Sequence, residues 1–232
     1  MMLSKAEING IKYLYREGFS DQKTILEVIG KDVYRKKGNK ILPGEKWMDC
    51  GGNIGAFALL ACSLGAKVTV YEPDPYNCEM IKRNLDLNKF DATVKQVALV
   101  HDNQKEAILF IGNNNNVWRN SIIKRWNNKG LKVPCINFDE EAKGFDCCKM
   151  DIEGAEMNIL ENTNKVFNKM VYEWSFDIDP SLTRFWSMIE KQQRAYKRVA
   201  DIGNTARFKT RDYDVWQKSW FPACTNVFCF NQ

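Results

Sequence analysis

Lys46-Trp-Met-Asp-Cys-Gly-Gly-Asn-Ile-Gly55 decides the fold. An apolar run enters Asp49, meets two glycines and passes directly into the apolar stretch Ile54 to Leu64. Glycine is required where the backbone turns with positive φ or where a ligand must approach without meeting a Cβ. Gly51 and Gly52 therefore predict a ligand-binding turn between a strand and a helix. Ile54, Phe57, Ala58, Ala61 and Leu64 share one face of that helix, and Gly55 is expected where the helix presses on its strand. A second strand, Lys67 to Tyr71, ends in Glu72, 72 − 49 = 23 residues beyond Asp49. An acid about 20 residues past such a turn is placed to take both hydroxyls of a ribose.

Glycine spacing then selects among nucleotides. A dinucleotide fingerprint, Gly-x-Gly-x-x-Gly, needs its second glycine so that a pyrophosphate can lie against the backbone. Counted from Gly51 the later glycine positions hold Asn53 and Ala56; counted from Gly52 they hold Ile54 and Phe57. Neither frame fits, and the chain has no Gly-x-x-x-x-Gly-Lys-Ser/Thr phosphate cradle. A nucleoside without a diphosphate remains, and S-adenosylmethionine has that form. Gly51, Gly52 and Asn53 would then cradle it, Glu72 would hold the ribose, and Asp49 would face the ammonium of its tail or order the loop. Adenine is expected between Pro73 or Asp74 and the end of a third strand near Val97 and Ala98. A plain strand-to-helix corner has the same glycines; the position of Glu72 favours the cofactor.

A third segment, Phe145-Asp-Cys-Cys-Lys-Met-Asp-Ile-Glu-Gly-Ala-Glu156, is followed by Met157-Asn-Ile-Leu160. Together with Asp49-Cys-Gly-Gly-Asn-Ile-Gly55 and Tyr71-Glu-Pro-Asp-Pro75, it closely resembles the FkbM-type family of S-adenosylmethionine-dependent methyltransferases. The match spans about Trp47 to Glu173. The resemblance implies a class I methyltransferase fold and, for most members, methyl transfer to an oxygen of a sugar or natural-product hydroxyl. Relatives often carry alanine where this chain has Gly52, a difference expected to change little except loop stiffness.

At 232 residues with 44% hydrophobic residues, the chain is compatible with one α/β domain and a substantial core. Residues 1–40 read as a helical or hairpin extension and residues 41–232 as the methyltransferase domain. The formal charge is 34 − 29 = +5, with basic residues dispersed apart from Arg35-Lys-Lys37 and Lys191 to Arg198. Such clusters are usually solvated faces, so nucleic acid is not the expected partner. The eight cysteines form no Cys-x-x-Cys, which disfavours a zinc site or disulfide framework and predicts reduced thiols in a cytoplasmic protein. No run of about 18 apolar residues predicts a membrane span. The spacing gives no oligomeric state.

Strand and helix patterns alternate, predicting a mostly parallel, seven-stranded, Rossmann-like sheet with helices on both faces. Ser20 to Ile29 reads as a helix. Asp74 as N-cap and Pro75 at the first position launch a helix with Cys78, Ile81 and Leu85 inward. Strand three is Thr93 to Val100. Ala107 to Val133 loosens into an asparagine-rich excursion, either a variable surface loop or a substrate-gripping one, with Ile108 to Ile111 and Leu131 to Cys135 able to pair. Arg207 to Tyr213 and Cys224 to Phe230 read as the final strands.

Methyl transfer from a sulfonium is an in-line displacement, and an alcohol acceptor needs a base or a divalent metal because it is nearly unionised at neutral pH. Asp151 and Glu153 follow the third motif's strand, and extended alternation points both the same way. Glu173, ending Val171-Tyr-Glu, is a third oxygen donor. Asp151, Glu153 and Glu173 are therefore the candidate catalytic residues and equally the candidate ligands for Mg2+ or Mn2+. Helix capping explains Glu156 best and Asp151 least. The lone His101 is expected to be a surface or packing residue. Trp118, Trp126, Trp174 and Trp216 are weak candidates for a platform under a sugar ring. The leading function is methyl transfer to a sugar hydroxyl of a glycan or glycosylated metabolite. The competing readings are a nucleic-acid methyltransferase and a non-catalytic module binding S-adenosylmethionine.

Overall fold

The chain begins with an antiparallel hairpin, β1 (Leu3–Ile8) and β2 (Ile11–Arg16), in a computed structural model describing residues 2–201 and 224–231. A short helix, α1 (Asp21–Ile25), widens into a π-helical turn over Leu26–Gly30. Next come β3 (Lys46–Cys50), α2 (Ala56–Ser63), β4 (Lys67–Tyr71), α3 (Pro75–Asn88) and β5 (Ala92–Lys95). An excursion follows, carrying β6 (Ala98–Val100), β7 (Glu106–Phe110) and β8 (Gly130–Asn137). The chain then returns through α4 (Phe138–Glu141), β9 (Cys147–Met150), α5 (Glu156–Asn162), β10 (Lys169–Ser175), α6 (Leu182–Ala195), β11 (Arg198–Asp201) and β12 (Cys224–Phe230).

Seven strands form one sheet in the order β11-β12-β10-β9-β3-β4-β5. The contacts of β9, β3, β4 and β5 are parallel, and β12 alone is reversed between β10 and β11. The sheet is thus mostly, and not purely, parallel. From β3 the order runs outward to β5 on one side and to β9 and β10 on the other. That reversal opens a crevice at the carboxyl ends of β3 and β9, where ligands collect in such sheets.

Alternation along each strand divides the core. Trp47, Cys147, Val171 and Phe228 face α2 and α3, whereas Met48, Cys148, Met170 and Val227 face α5 and α6. The adjacent thiols of Cys147 and Cys148 therefore lie on opposite faces, as period-two geometry requires. All eight cysteines are free. Every residue from Ala56 to Ala61 is buried, which is why α2 is apolar all round.

The hairpin is fastened to α3 by amide side chains acting as a substitute strand. Asn84 accepts from Leu14 N (2.6 Å) and donates to its carbonyl (3.2 Å), and Asn88 does the same for Lys12 at 2.9 and 2.6 Å. Arg16, fully buried, makes a two-point contact with Asp21 and donates to Asn77 Oδ1 at 2.8 Å, linking β2, α1 and α3. A buried charge needs such complete pairing to be tolerated.

Three expectations require correction, and a fourth falls outside the described residues. The third strand breaks after Lys95, whose carbonyl is taken by the amides of Glu72 (3.1 Å) and Val97 (3.0 Å), so Ala98–Val100 leaves to pair with β8 in a separate sheet. Gly55 is left-handed (φ 91°) and presses on Ile81 of α3, so the helix begins at Ala56 and the close approach is to a helix rather than to its strand. A Cβ on Gly52 would overlap Cγ1 of Val70, a stiff β-branched side chain, so alanine there disturbs packing as well as loop stiffness. The strand beside β12 is Arg198–Asp201, while the expected Arg207 to Tyr213 lies outside the described residues. The expected pairing of Ile108 to Ile111 with Leu131 to Cys135 is found as the antiparallel β7–β8 pair.

Candidate active site

A cavity of about 360 Å3 opens at the carboxyl ends of β3, β4, β9 and β10. One wall is the turn after β3. Gly51 is left-handed (φ 82°), and a Cβ there would overlap the carbonyl oxygen of Asp151. The two loops that close the crevice therefore touch through backbone, which only glycine permits. Gly51 N and Gly52 N both donate to the Tyr71 carbonyl, at 2.9 and 3.3 Å, so the turn is tied to the end of β4.

Glu72 stands at that end, facing the cavity. Its Oε2 accepts from Asn53 N (2.7 Å) and its Oε1 from Asp74 N (2.9 Å). Burial pushes its pKa from the ordinary 4.5 up to about 7, opposed by these amide hydrogen bonds. Pro73, Val97 and Ala98 continue the same wall. Asp74 does not line the cavity. It caps α3 by accepting from Tyr76 N (2.8 Å), as its place before Pro75 predicts, and its other oxygen accepts from Asn120 Nδ2 at 2.7 Å.

Asp49 also lies behind the wall rather than in it. It is fully buried, with Lys149 Nζ 3.2 Å from Oδ1. The Lys149 ammonium aims its hydrogen bonds at the carbonyls of Gly51 (2.6 Å) and Cys50 (3.3 Å), so Asp49 is paired in charge but holds no hydrogen bond among the described residues. Burial raises the Asp49 pKa and Lys149 opposes that rise, while Asp49 and then Asp151 lift the Lys149 pKa against its own burial. Of the two expected roles for Asp49, this arrangement has the geometry of loop ordering.

The opposite wall gathers the acids. One carboxylate oxygen each from Asp151, Glu153 and Glu173 lies within 4.8 Å of the others. Strand alternation does not bring them together: β9 ends at Met150, and Glu153 takes a left-handed conformation (φ 54°) in a turn. Such a residue needs support. Ser121 Oγ donates to the Glu153 carbonyl (2.5 Å), and Glu156 closes the turn by accepting from Ile152 N (2.5 Å) and Gly154 N (2.8 Å). Glu156 thus braces the turn from the first position of α5, and these two bonds go to amides of the turn before that helix. Burial, then the charge of Asp151, push the pKa values of Glu153 and Glu173 well above the usual carboxylate range.

The excursion crosses the mouth. Val117, Trp118, Arg119, Asn120 and Ile122 line the cavity. The Val117 carbonyl accepts from Asn53 Nδ2 (3.3 Å), and Arg119 pairs with Asp177 beyond β10 while lying 4.2 Å above the Trp126 ring. These ties hold the excursion against the cavity. Trp174 is fully buried among Phe176 and Phe185, so it is core and no sugar platform; His101 is exposed and away from the cavity; Trp216 lies outside the described residues.

The sequence model of the methyltransferase FkbM domain matches residues 49–203. The chain belongs to that family. No curated protein sequence matches this FkbM-family chain. Among solved structures it is similar to a Pyrococcus abyssi tRNA (uracil-54, C5)-methyltransferase in complex with S-adenosyl-L-homocysteine, with a TM-score of 0.50 and 13% identity. That likeness covers 98% of this chain and 43% of the other. It is also similar to a Pyrococcus horikoshii transferase, with a TM-score of 0.51, 14% identity, and coverage of 98% of this chain and 70% of the other. At such identities the likeness establishes the fold.

Lys149 and Tyr34 line the cavity of this FkbM-family chain and escaped sequence reasoning. Lys149 left a trace, a lone charge inside the apolar run Cys147 to Met150, which predicts a buried partner. Tyr34 left none, because it lies in an irregular segment without periodicity.

Proposed function

We propose that this methyltransferase moves the methyl group of S-adenosylmethionine to a sugar hydroxyl, in a glycan or a glycosylated metabolite. The observation that carries the reading is the convergence of Asp151, Glu153 and Glu173 across the cavity from the glycine turn. Gly51, Gly52 and Asn53 would cradle S-adenosylmethionine, Glu72 would accept from its ribose hydroxyls, and Pro73, Val97 and Ala98 would flank its adenine. When bound, the cofactor would supply an electrophilic methyl group and leave as S-adenosylhomocysteine. Asp151 takes the proton of the acceptor hydroxyl as that oxygen is methylated. Glu153 and Glu173, whose pKa values are raised by burial and then by the charge of Asp151, help confine the acceptor.

The same three carboxylates suit a hard divalent ion such as Mg2+ or Mn2+, which would lower the acceptor's pKa. RNA is a weaker reading. The solved relatives include tRNA methyltransferases. Among the described residues, however, the cavity's two cations, Lys149 and Arg119, are each paired with an acid, and the remaining carboxylates repel phosphate. No helix among the described residues is long and apolar enough to cross a membrane, and we assign the protein to the cytoplasm on its free thiols.

Calorimetry with S-adenosylhomocysteine, with and without magnesium, followed by mass spectrometry on a glycoside panel, tests the proposal. Micromolar binding and methylated glycoside support it. Methylation of RNA alone, or binding with no turnover on any acceptor, would replace it with one of the two competing readings.

Glu72 supplies a pH signature. A ribose hydroxyl donates to a carboxylate better than to a carboxylic acid, so affinity should rise as pH passes upward through about 7. Binding of S-adenosylhomocysteine is expected to be about tenfold tighter at pH 8 than at pH 6, the ratio of ionised fractions for a group titrating near 7. Folding responds with the opposite sign. A carboxyl whose pKa is raised in the folded state adds stability below the unfolded value of 4.5, and that stability is lost as pH rises through about 7. Glu72→Gln should flatten the affinity profile; a profile that keeps its slope in this variant would remove Glu72 from the cofactor site.

A further inference from the structure

Tyr34 lies upstream of the residues matched by the family's sequence model, in the irregular helical segment Val33–Gly38. Its hydroxyl nevertheless reaches the acid cluster and donates to Asp151 Oδ2 at 2.7 Å. We infer that Tyr34 is a positioning residue for Asp151, fixing the carboxylate so that its second oxygen is left for the acceptor. This inference rests on the reading of Asp151 as the base.

Three features make Tyr34 a fixed donor rather than a passing contact. The side chain is 5% exposed, and its ring meets the Phe57 ring edge-on at 5.7 Å and 87°. Its carbonyl accepts from Nδ2 of the fully buried Asn39 at 2.7 Å, which holds the backbone of the segment in place. Lys149 Nζ lies 5.5 Å from the ring centre. Burial and then the charge of Asp151 push the Tyr34 pKa well above 10, so the phenol stays neutral and keeps its proton for donation.

Asp151 needs such a partner. Glu153 and Glu156 of its own turn, Glu173 of β10, Asp49 of β3 and the Cys224 thiol of β12 all interact with it, and Lys149 of β9 supplies the positive charge among them. Among the described residues no other group donates to its side chain. An aspartate has two side-chain torsions, and one hydrogen bond from a rigid phenol suffices to set the second. Without it the carboxylate is free to turn from its neighbours.

Tyr34→Phe retains the ring and its packing while deleting the hydroxyl. In the full chain its melting temperature should stay within about 3 °C of wild type, on the order of one lost hydrogen bond, and S-adenosylhomocysteine affinity within about twofold. A crystal structure of the variant with S-adenosylhomocysteine should show the Asp151 carboxylate rotated from its wild-type orientation. On the glycoside that the wild-type enzyme methylates, kcat should fall about 10- to 100-fold, the range seen when a group that orients a reacting ligand is removed. KM should hold. An unmoved carboxylate, or a kcat like that of wild type, would overturn the inference. Should the wild-type protein bind S-adenosylhomocysteine yet methylate no glycoside, the proposed function fails, while the carboxylate's orientation still decides the part played by Tyr34.

Discussion

Asp151→Asn is expected to lower turnover about a thousandfold while S-adenosylhomocysteine affinity stays within about tenfold. Asparagine is nearly isosteric and its carbonyl oxygen can still accept from the Tyr34 hydroxyl, so the turn beside Gly51 keeps its shape. What disappears is a group able to receive the acceptor's proton, and a positioned general base contributes about 10²- to 10⁴-fold. The cofactor contacts proposed for Gly51, Gly52, Asn53 and Glu72 lie on the other wall and are untouched. Single-turnover methylation measured beside calorimetry separates the two effects. Full turnover in the variant would transfer the base role to Glu153 or Glu173, the two carboxylates within 4.8 Å.

Gly51→Ala should abolish cofactor binding, with affinity reduced more than a hundredfold. The added methyl would overlap the Asp151 carbonyl oxygen and approach Ile152 Cγ2 at 3.2 Å. A backbone carbonyl cannot swing aside as a flexible side chain can, so the turn and the acid-bearing loop must part. Alanine at φ 82° adds about 1 to 2 kcal/mol of backbone strain. With strain and overlap together on the order of 3 kcal/mol, a chain of this size should melt about 6 to 12 °C lower. Calorimetry and thermal unfolding check both parts. Wild-type affinity with an unchanged melt would mean that the two loops are not in contact in solution.

The two substitutions probe walls that differ in how openly the sequence declares them. The cofactor wall is local. Gly51 and Gly52 announce a turn because no other residue fits there, Glu72 follows at the end of the next strand, and Asp74-Pro75 marks a helix start through its own capping chemistry. Each signal lies within a few residues of the structure it dictates. Where a local signal failed, a tertiary bond had taken over. The Lys95 carbonyl accepts from the amides of Glu72 and Val97, and the third strand stops there although its apolar residues continue.

The acid wall is assembled from a distance. Asp151 and Glu153 approach through a left-handed turn rather than through strand alternation, and Glu173 joins them from β10, placed by the parallel register that sets Tyr172 beside Met150. Lys149 finds Asp49 across the β3–β9 pairing, where the two residues are direct partners. Trp174 has the composition of a sugar platform and the burial of a core residue, a distinction that residue type alone does not carry.

By itself the sequence determined the Rossmann-like plan, the glycine turn and the capped third helix, because each depends on backbone conformations and periodicities within short stretches, and three of its motifs carried the family resemblance. Only the tertiary structure decided which acids share a cavity, that Asp49 lies behind the wall and not in it, that the excursion from Val117 to Ile122 crosses the mouth, and that Tyr34 reaches Asp151. The physical reason is that strand register and crossover path bring together residues such as Tyr34 and Asp151, 117 positions apart, and no local pattern encodes the direction in which two such side chains meet.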